Sequence, residues 1–68
     1  MYLIIFQLES GSQALKLKIN RKLKKIGAKI IQRSVWAHES AQKLIGIASF
    51  IKARGGKAMV LEANVIYE

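Results

Sequence analysis

The sequence predicts an α+β domain in which strand-like and helix-like segments alternate along the chain. Unbroken apolar or β-branched runs are typical of strands, and apolar residues that recur at intervals of three and four are typical of helices. The strand-like segments lie at 2–8, 29–36 and 57–67, and the helix-like segments at 13–26 and 41–54. A chain of 68 residues holds one hydrophobic core, so residues 1–68 are predicted to form a single domain.

The first strand and the first helix are separated by a capping sequence. Tyr2 to Leu8 is nearly all apolar, as in a central strand. Ser10-Gly11-Ser12-Gln13 predicts a capping box, in which Ser10 accepts from the Gln13 amide and the Gln13 side chain reaches back. The helix then runs to about Ile26, and Gly27 ends it in a left-handed conformation. Its core-facing stripe is Leu15, Ile19, Leu23 and Ile26.

The middle segment, Lys29 to Trp36, is rich in strand-forming residues. A tight bend at Arg33-Ser34 would divide it into a hairpin; without that bend it is one strand, and the pattern leaves both open. Ser40 is predicted to cap a second helix from Ala41 to about Arg54. The inner stripe of that helix is Leu44, Ile47, Ala48 and Ile51.

Gly55-Gly56 is expected to stop the second helix, and Lys57 to Tyr67 is extended again. A bend around Glu62-Ala63-Asn64 would divide this last segment into a fourth and a fifth short strand. With the middle segment as a hairpin, the order becomes βαββαβ. That order predicts a ferredoxin-like sandwich with two helices on one face of an antiparallel sheet.

The other face of such a sheet needs cover, because Ile and Val residues are available for both faces. A small domain usually gains stability from disulfides, a metal or a partner subunit. The chain has no Cys, one His and no Asp, so neither disulfides nor a structural zinc site is expected. We therefore expect a homodimer whose sheets pack face to face.

Charge is the strongest functional signal. There are 12 Lys and Arg residues against four acids, and eight of the 12 lie from Lys16 to Arg33, where no carboxylate occurs. A segment of one sign attracts polyanions, so we predict DNA or RNA as the partner. The alternative is a solvated helix face of a thermophilic protein, but such a surface normally balances Lys with Glu. The predicted phosphate contacts are Lys18, Arg21, Lys22, Lys24, Lys25, Lys29 and Arg33.

Residues 27–36, GAKIIQRSVW, resemble the G-x-R-V-Q-x-S-V-F stretch of the second Cas family, the small CRISPR adaptation proteins. The N-terminal MYLIIF also resembles the first strand of that family. The resemblance implies a ferredoxin-like homodimer that bridges two copies of the CRISPR integrase subunit and holds duplex DNA, a role in antiviral defence. The motif residues that match or substitute conservatively are Gly27, Ile31, Gln32, Ser34, Val35 and Trp36.

Some members of that family are metal-dependent nucleases that use an Asp at the end of the first strand. Here the corresponding position falls on Gln7 or Leu8, neither of which holds Mg²⁺ as a carboxylate does. Glu9 is the nearest acid, and a shift of one residue along a strand moves a side chain to the other face. We therefore expect a non-catalytic protein with no metal site and no cofactor.

Two alternatives follow from the same residues. Glu9 is the one weak catalytic candidate for a metal-dependent endonuclease, and Mg²⁺ would be needed only in that case. A protein-docking module would use the sheet edge and the outward-facing Leu17.

The apolar run at the N-terminus is too short to span a bilayer and lacks the basic leader of a signal peptide. We expect no membrane partner and a cytoplasmic location.

Four further polar or aromatic residues have two interpretations each. Gln32 and Ser34 are either polar groups oriented toward the end of the first strand or turn and sheet hydrogen-bonding residues. Trp36 is either a platform for a base or a core residue. His38 has no nucleophile or acid beside it in the sequence, which favours a loop histidine before the helix cap over a general base.

Overall fold

A computed structural model describes residues 1–9 and 13–68. The described residues form four strands and two helices: β1 (Tyr2–Gln7), α1 (Gln13–Lys25), β2 (Lys29–Gln32), β3 (Val35–His38), α2 (Ala41–Ala53) and β4 (Lys57–Glu62). The predicted α+β class and the β-α-β-β-α-β order are confirmed, and the arrangement is compatible with a ferredoxin-like fold. The predicted capping box includes Ser10 and lies outside the described residues.

The four strands form one antiparallel sheet in the order β2-β3-β1-β4. The apolar strand β1 is central, as its composition predicted, and pairs with β3 on one side and β4 on the other. Ile4 lies opposite both Trp36 and Val60, while Leu3 lies opposite both Ala37 and Leu61. Because side chains alternate along a strand, these two sets occupy opposite faces of the sheet.

The turn between β2 and β3 decides between the two predicted forms of the middle segment. Residues 33 and 34 form a turn, so the segment is a hairpin. Ser34 has a φ of 64°, a left-handed conformation that is uncommon for residues other than glycine. Its carbonyl oxygen accepts from the amide of Phe6 at 3.1 Å, which ties the turn to the central strand. The pairing register shifts between Ile30 and Gln32.

The last strand ends earlier than the sequence pattern suggested. β4 stops at Glu62, and within residues 63–68, all of which the structure describes, no fifth strand forms. The Ala63 amide donates to the carbonyl oxygen of Met1 at 2.9 Å, which completes the pairing beside β1. After Ala63, the apolar side chains of Val65, Ile66 and Tyr67 are exposed.

The core lies between the helices and one face of the sheet. Ile4, Phe6 and Trp36 project from that face, and Trp36 is only 3% exposed, so it is a core residue rather than a platform for a base. Ile19 and Leu23 of the predicted α1 stripe are fully buried, and Leu15 and Ile26 pack at its margin. The whole predicted stripe of α2 is buried: Leu44, Ile47, Ala48 and Ile51.

Both helices end at the glycines that were predicted to terminate them. Gly27 has a φ of 83°, its amide donates to Lys24, and the Ala28 amide donates to Leu23. This pair of bonds satisfies the last carbonyl groups of α1 in the arrangement typical of a glycine C-terminus. Gly55, with a φ of 84°, ends α2 in the same way. At the other end of α2, the Ser40 hydroxyl accepts from the Lys43 amide at 3.3 Å, as predicted.

The face of the sheet that points away from the helices is also apolar. Ile5 and Met59 lie opposite each other in the register of β1 and β4 and are 39% and 60% exposed. This surface, which we call the open sheet face, is exposed chiefly at these two residues, whereas Ala37 within it is 8% exposed. Its apolar members are Leu3, Ile5, Val35, Ala37, Met59 and Leu61.

Candidate nucleic-acid interface

Helix α1 distributes its positive charges over its outer side and both flanks, with Lys16 alone on the flank opposite that of Lys18. Six of its 13 residues are Lys or Arg and none is acidic. Since a helix turns once in about 3.6 residues, the buried Ile19 and Leu23 fix which side of α1 each cation occupies. Arg21 and Lys24 lie opposite the core, and the flank beside the core that is closer to α2 carries Lys18, Lys22 and Lys25.

A groove separates the two helices on the outer surface of the domain. It has a volume of about 340 Å³. Three Lys side chains, two from α1 and one from α2, line it together with apolar groups. We call it the interhelical groove, and its lining residues are Lys22, Lys25, Ile26, Lys43, Gly46, Ile47 and Phe50. The combination of ammonium groups and apolar surface suits an anion that also has an apolar part.

Phe50 brings cations from both helices together. The Nζ atom of Lys22 lies 4.5 Å from the centroid of the Phe50 ring, and the Cζ atom of Arg54 lies 3.6 Å from it. The Arg54 guanidinium also donates through Nη1 to the Phe50 carbonyl oxygen at 3.3 Å. A cation over an aromatic face gains about 0.5–1 kcal/mol at an exposed site, which offsets part of the repulsion between the two charges.

Arg54 extends the positive surface along α1. Together with Ala14, Leu15 and Lys18 it lines a second depression of about 330 Å³. Phe50 lines the first depression and Arg54 the second, and the contact between these two side chains joins the five cations of both helices into one surface. We call this the basic helical surface, and its members are Lys18, Lys22, Lys25, Lys43 and Arg54.

Charge balance distinguishes this surface from an ordinary solvated one. Neither α1 nor α2 contains an Asp or Glu residue. The four acids of the chain all lie outside the helices and are exposed: Glu9, Glu39, Glu62 and Glu68. No side chain of either helix carries a negative charge that would offset these cations, as expected of a phosphate-binding surface.

The predicted contact residues do not all belong to this surface. Lys18, Lys22 and Lys25 do, and Arg21 and Lys24 are exposed beside it. Lys29 lies opposite Ala37 in the register of β2 and β3, which puts it on the open sheet face. Arg33 is exposed in the turn of the hairpin.

Two members of the surface were missed by the sequence-based prediction. Lys43 and Arg54 belong to α2 or its C-terminal cap and join the α1 cations only through helix packing. A signal for them was present in the sequence, because a second stretch without carboxylates, from Ser40 to Leu61, follows Glu39. The sequence-based prediction used only the first stretch, as far as Arg33.

The end of β1 is the other predicted site. Gln7 is exposed and pairs with Lys57, and Glu9 is exposed two residues later. Among residues 1–9 and 13–68, no group of three or more His, Cys, Asp or Glu side chains is placed to hold a metal ion. Glu9 therefore lies in no metal-binding cluster within the described part of one chain.

The remaining candidates have hydrogen-bonding and packing roles. His38 accepts from the Ser40 amide through Nδ1 at 2.8 Å, and its Nε2 lies 2.7 Å from the Ile26 carbonyl oxygen. Both ring nitrogens are thus engaged. His38 lies two residues before the Ser40 cap as expected, but it is the last residue of β3, paired with Tyr2, and not a loop residue. Ser34 bonds through its main chain to Phe6, and Gln32 is exposed at the end of β2. Leu17, the predicted outward residue of α1, is 54% exposed.

Comparison with known proteins gives no relative to draw on: no family model, curated protein or solved structure matches this chain. Within the described ranges, no helix combines the length and the apolar character that crossing a bilayer takes.

Proposed function

We propose that this protein is a non-catalytic, nucleic-acid-binding homodimer with a ferredoxin-like fold, which contacts the phosphate backbone through its basic helical surface. One observation carries the proposal. Cations of α1 and of α2 converge on one surface, at Lys22, Lys43 and Arg54, and neither helix has a carboxylate to neutralise them. On an ordinary solvent-exposed surface, positive and negative side chains would be mixed on the same helices.

The chemistry of the surface favours binding without sequence preference. Four of its five cations are Lys, whose ammonium group is a compact point charge suited to phosphate. Reading of base edges relies instead on bidentate side chains such as Arg, Asn and Gln. The one Arg of the surface, Arg54, is engaged with the ring and the carbonyl group of Phe50. Phosphate contacts fix the position of a nucleic acid and carry no sequence information directly.

The open sheet face supports the homodimer. An uncovered apolar surface on a small domain is costly in water and is typical of an interaction site. A second copy packed sheet to sheet would bury Ile5 and Met59 of both chains. Both helical layers would then remain outside, so each dimer would present two basic helical surfaces.

The resemblance to the second Cas family supplies a biological setting for this proposal. Its motif residues Gln32, Ser34, Val35 and Trp36 lie on the β2–β3 hairpin. In that setting the protein would act in the cytoplasm beside a CRISPR integrase subunit, and its nucleic acid would be the DNA of a new spacer.

The test is a salt titration of binding to labelled duplex DNA and duplex RNA. The double variant Lys22→Gln with Lys43→Gln removes two charges from the basic helical surface. The matched control, Lys16→Gln with Lys52→Gln, removes the same net charge from helix positions that line neither depression. We expect the first pair to lower the salt slope by about 0.9 for each lost phosphate contact and the control to leave it nearly unchanged. Absence of binding to either polymer at low salt, or equal losses in both variants, contradicts the proposal.

A further inference from the structure

We propose that the interhelical groove binds an unstacked nucleotide of a single-stranded nucleic acid, with its base on the apolar lining and its phosphates at the lysines. This rests on the proposed function and names the ligand of one part of the basic helical surface. Duplex DNA would contact the same lysines from outside, without entering the groove.

Gly46 lines the interhelical groove at a position where neither packing nor backbone conformation requires glycine. It lies in the middle of α2, where glycine destabilises a helix relative to alanine. A Cβ atom built at this position meets no described atom within 4 Å, so packing does not require glycine here. The positive-φ glycines are Gly27 and Gly55, so the backbone at Gly46 does not require glycine either. The effect of the missing side chain is to leave space in the groove.

The lining of the groove determines what can use that space. Ile26 and Phe50 are partly buried and Ile47 is buried, so the inner surface is apolar. A bare phosphate group would meet Lys22, Lys25 and Lys43 and leave this surface uncovered. A volume of about 340 Å³ accommodates more than a phosphate and falls within the range of small-ligand sites, roughly 300–1,000 Å³.

An unstacked nucleotide matches both parts of the groove. Its base has a flat apolar face, and its phosphates are the anions that the lysines attract. In a duplex the bases stay stacked and paired, so a duplex offers the groove only its backbone. Single-stranded nucleic acid is therefore the class of ligand whose chemistry fits the whole groove.

The substitution Gly46→Leu fills the groove without changing any charge, and Ser49→Leu is the matched control. Ser49 is exposed on the same helix and does not line the groove. The probes are a short fluorescein-labelled oligothymidine and a labelled duplex of the same length, both at low salt. We expect Gly46→Leu to weaken oligothymidine binding about tenfold, the order expected from the loss of one base contact. We expect duplex binding by this variant, and both affinities of Ser49→Leu, to stay within about twofold of the unmodified protein.

Folding of each variant is checked by the fluorescence of Trp36, the one tryptophan of the chain, which is buried in the core. The smaller change Gly46→Ala provides a second test if Gly46→Leu does not fold, because it should weaken oligothymidine selectively and by less. An unchanged oligothymidine affinity in the folded variant, or an equal loss for both probes, overturns the inference. If the unmodified protein binds duplex but not oligothymidine, the inference fails and the proposed function stands. If it binds neither probe, both fail.

Discussion

The Nε2 atom of His38 lies 2.7 Å from the main-chain carbonyl oxygen of Ile26, one residue past the end of α1. Because Nδ1 accepts from the Ser40 amide, the ring carries its proton on Nε2 and donates it to Ile26. The imidazole thus joins the end of α1 to the residue that caps α2. Ile26 and Lys43 line the interhelical groove at these two helix ends, so His38 helps to set the spacing of the groove walls.

Replacing His38 with Ala should lower the free energy of unfolding by about 1–3 kcal/mol, because it leaves two partly buried main-chain groups unsatisfied. His38→Asn places an acceptor near the Ser40 amide, and His38→Gln places a donor near the Ile26 carbonyl oxygen. Each should recover part of the loss. Urea unfolding followed by Trp36 fluorescence measures all three variants. Full stability of His38→Ala would show that the link is not needed.

Gly46 in α2 and Gly56 in the turn that follows α2 should respond to Ala substitution with opposite signs in stability. A Cβ atom at Gly56 would lie 2.6 Å from Cγ2 of Ile51 and 3.2 Å from the Gln7 carbonyl oxygen. We expect Gly56→Ala to destabilise the fold by about 1–3 kcal/mol through overpacking. Gly46→Ala should stabilise it by about 0.5–1 kcal/mol, since the added methyl group meets nothing and favours the helix.

Thermal unfolding of the two variants beside the unmodified protein gives both signs in one experiment. A rise in the melting temperature for Gly46→Ala would also show that the sequence forgoes stability at this position of the groove. A fall for Gly46→Ala, or no change for Gly56→Ala, contradicts the packing described here.

The helix ends that the sequence predicted correctly depend on local signals. Gly27 and Gly55 end helices because a left-handed residue after the last turn costs glycine little, and Ser40 caps α2 through a bond only three residues long. By contrast, no local signal of this kind predicted whether residues 29–36 form one strand or a hairpin. Ser34 lacks the conformational freedom of glycine, and its left-handed turn is tied to the distant Phe6 amide.

In the candidate site, too, the local features could be predicted and those that depend on packing could not. The charge of α1 was evident from the sequence, but its extension to Lys43 and Arg54 depends on how two helices pack. Lys29 was grouped with the helix because it is close in sequence. The alternation of side chains along β2 places it on the other side of the sheet.

The open sheet face gives a prediction about assembly. We expect the unmodified protein to be dimeric, and Met59→Lys to shift it toward monomer, because Met59 is 60% exposed and lies beside Ile5 in the apolar surface. A Lys residue there would carry its charge into the dimer interface of both chains. Ile45→Lys is the control, since Ile45 is 51% exposed but lies on α2.

Analytical ultracentrifugation over a range of protein concentrations measures this equilibrium. A monomer at every concentration would contradict the proposed homodimer. If Met59→Lys left the dimer intact and Ile45→Lys disrupted it, the dimer interface would lie on the helices and not on the sheet.

Arg54 and Lys52 test whether the position of a charge matters more than its sign. They lie two residues apart at the end of α2 and both are exposed cations. Arg54 contacts Phe50 and belongs to the basic helical surface, whereas Lys52 lines neither of its two depressions. Arg54→Gln and Lys52→Gln each remove one positive charge, so their effects on net charge are identical.

We expect Arg54→Gln to reduce the salt slope of nucleic-acid binding by about one unit and Lys52→Gln to leave it unchanged. The physical reason is that counterions are released only where a cation lies against a phosphate, which net charge alone does not determine. Fluorescence anisotropy with labelled duplex DNA at several salt concentrations measures both slopes. Equal reductions in the two variants would mean that the chain attracts nucleic acid by its overall charge, without a defined surface.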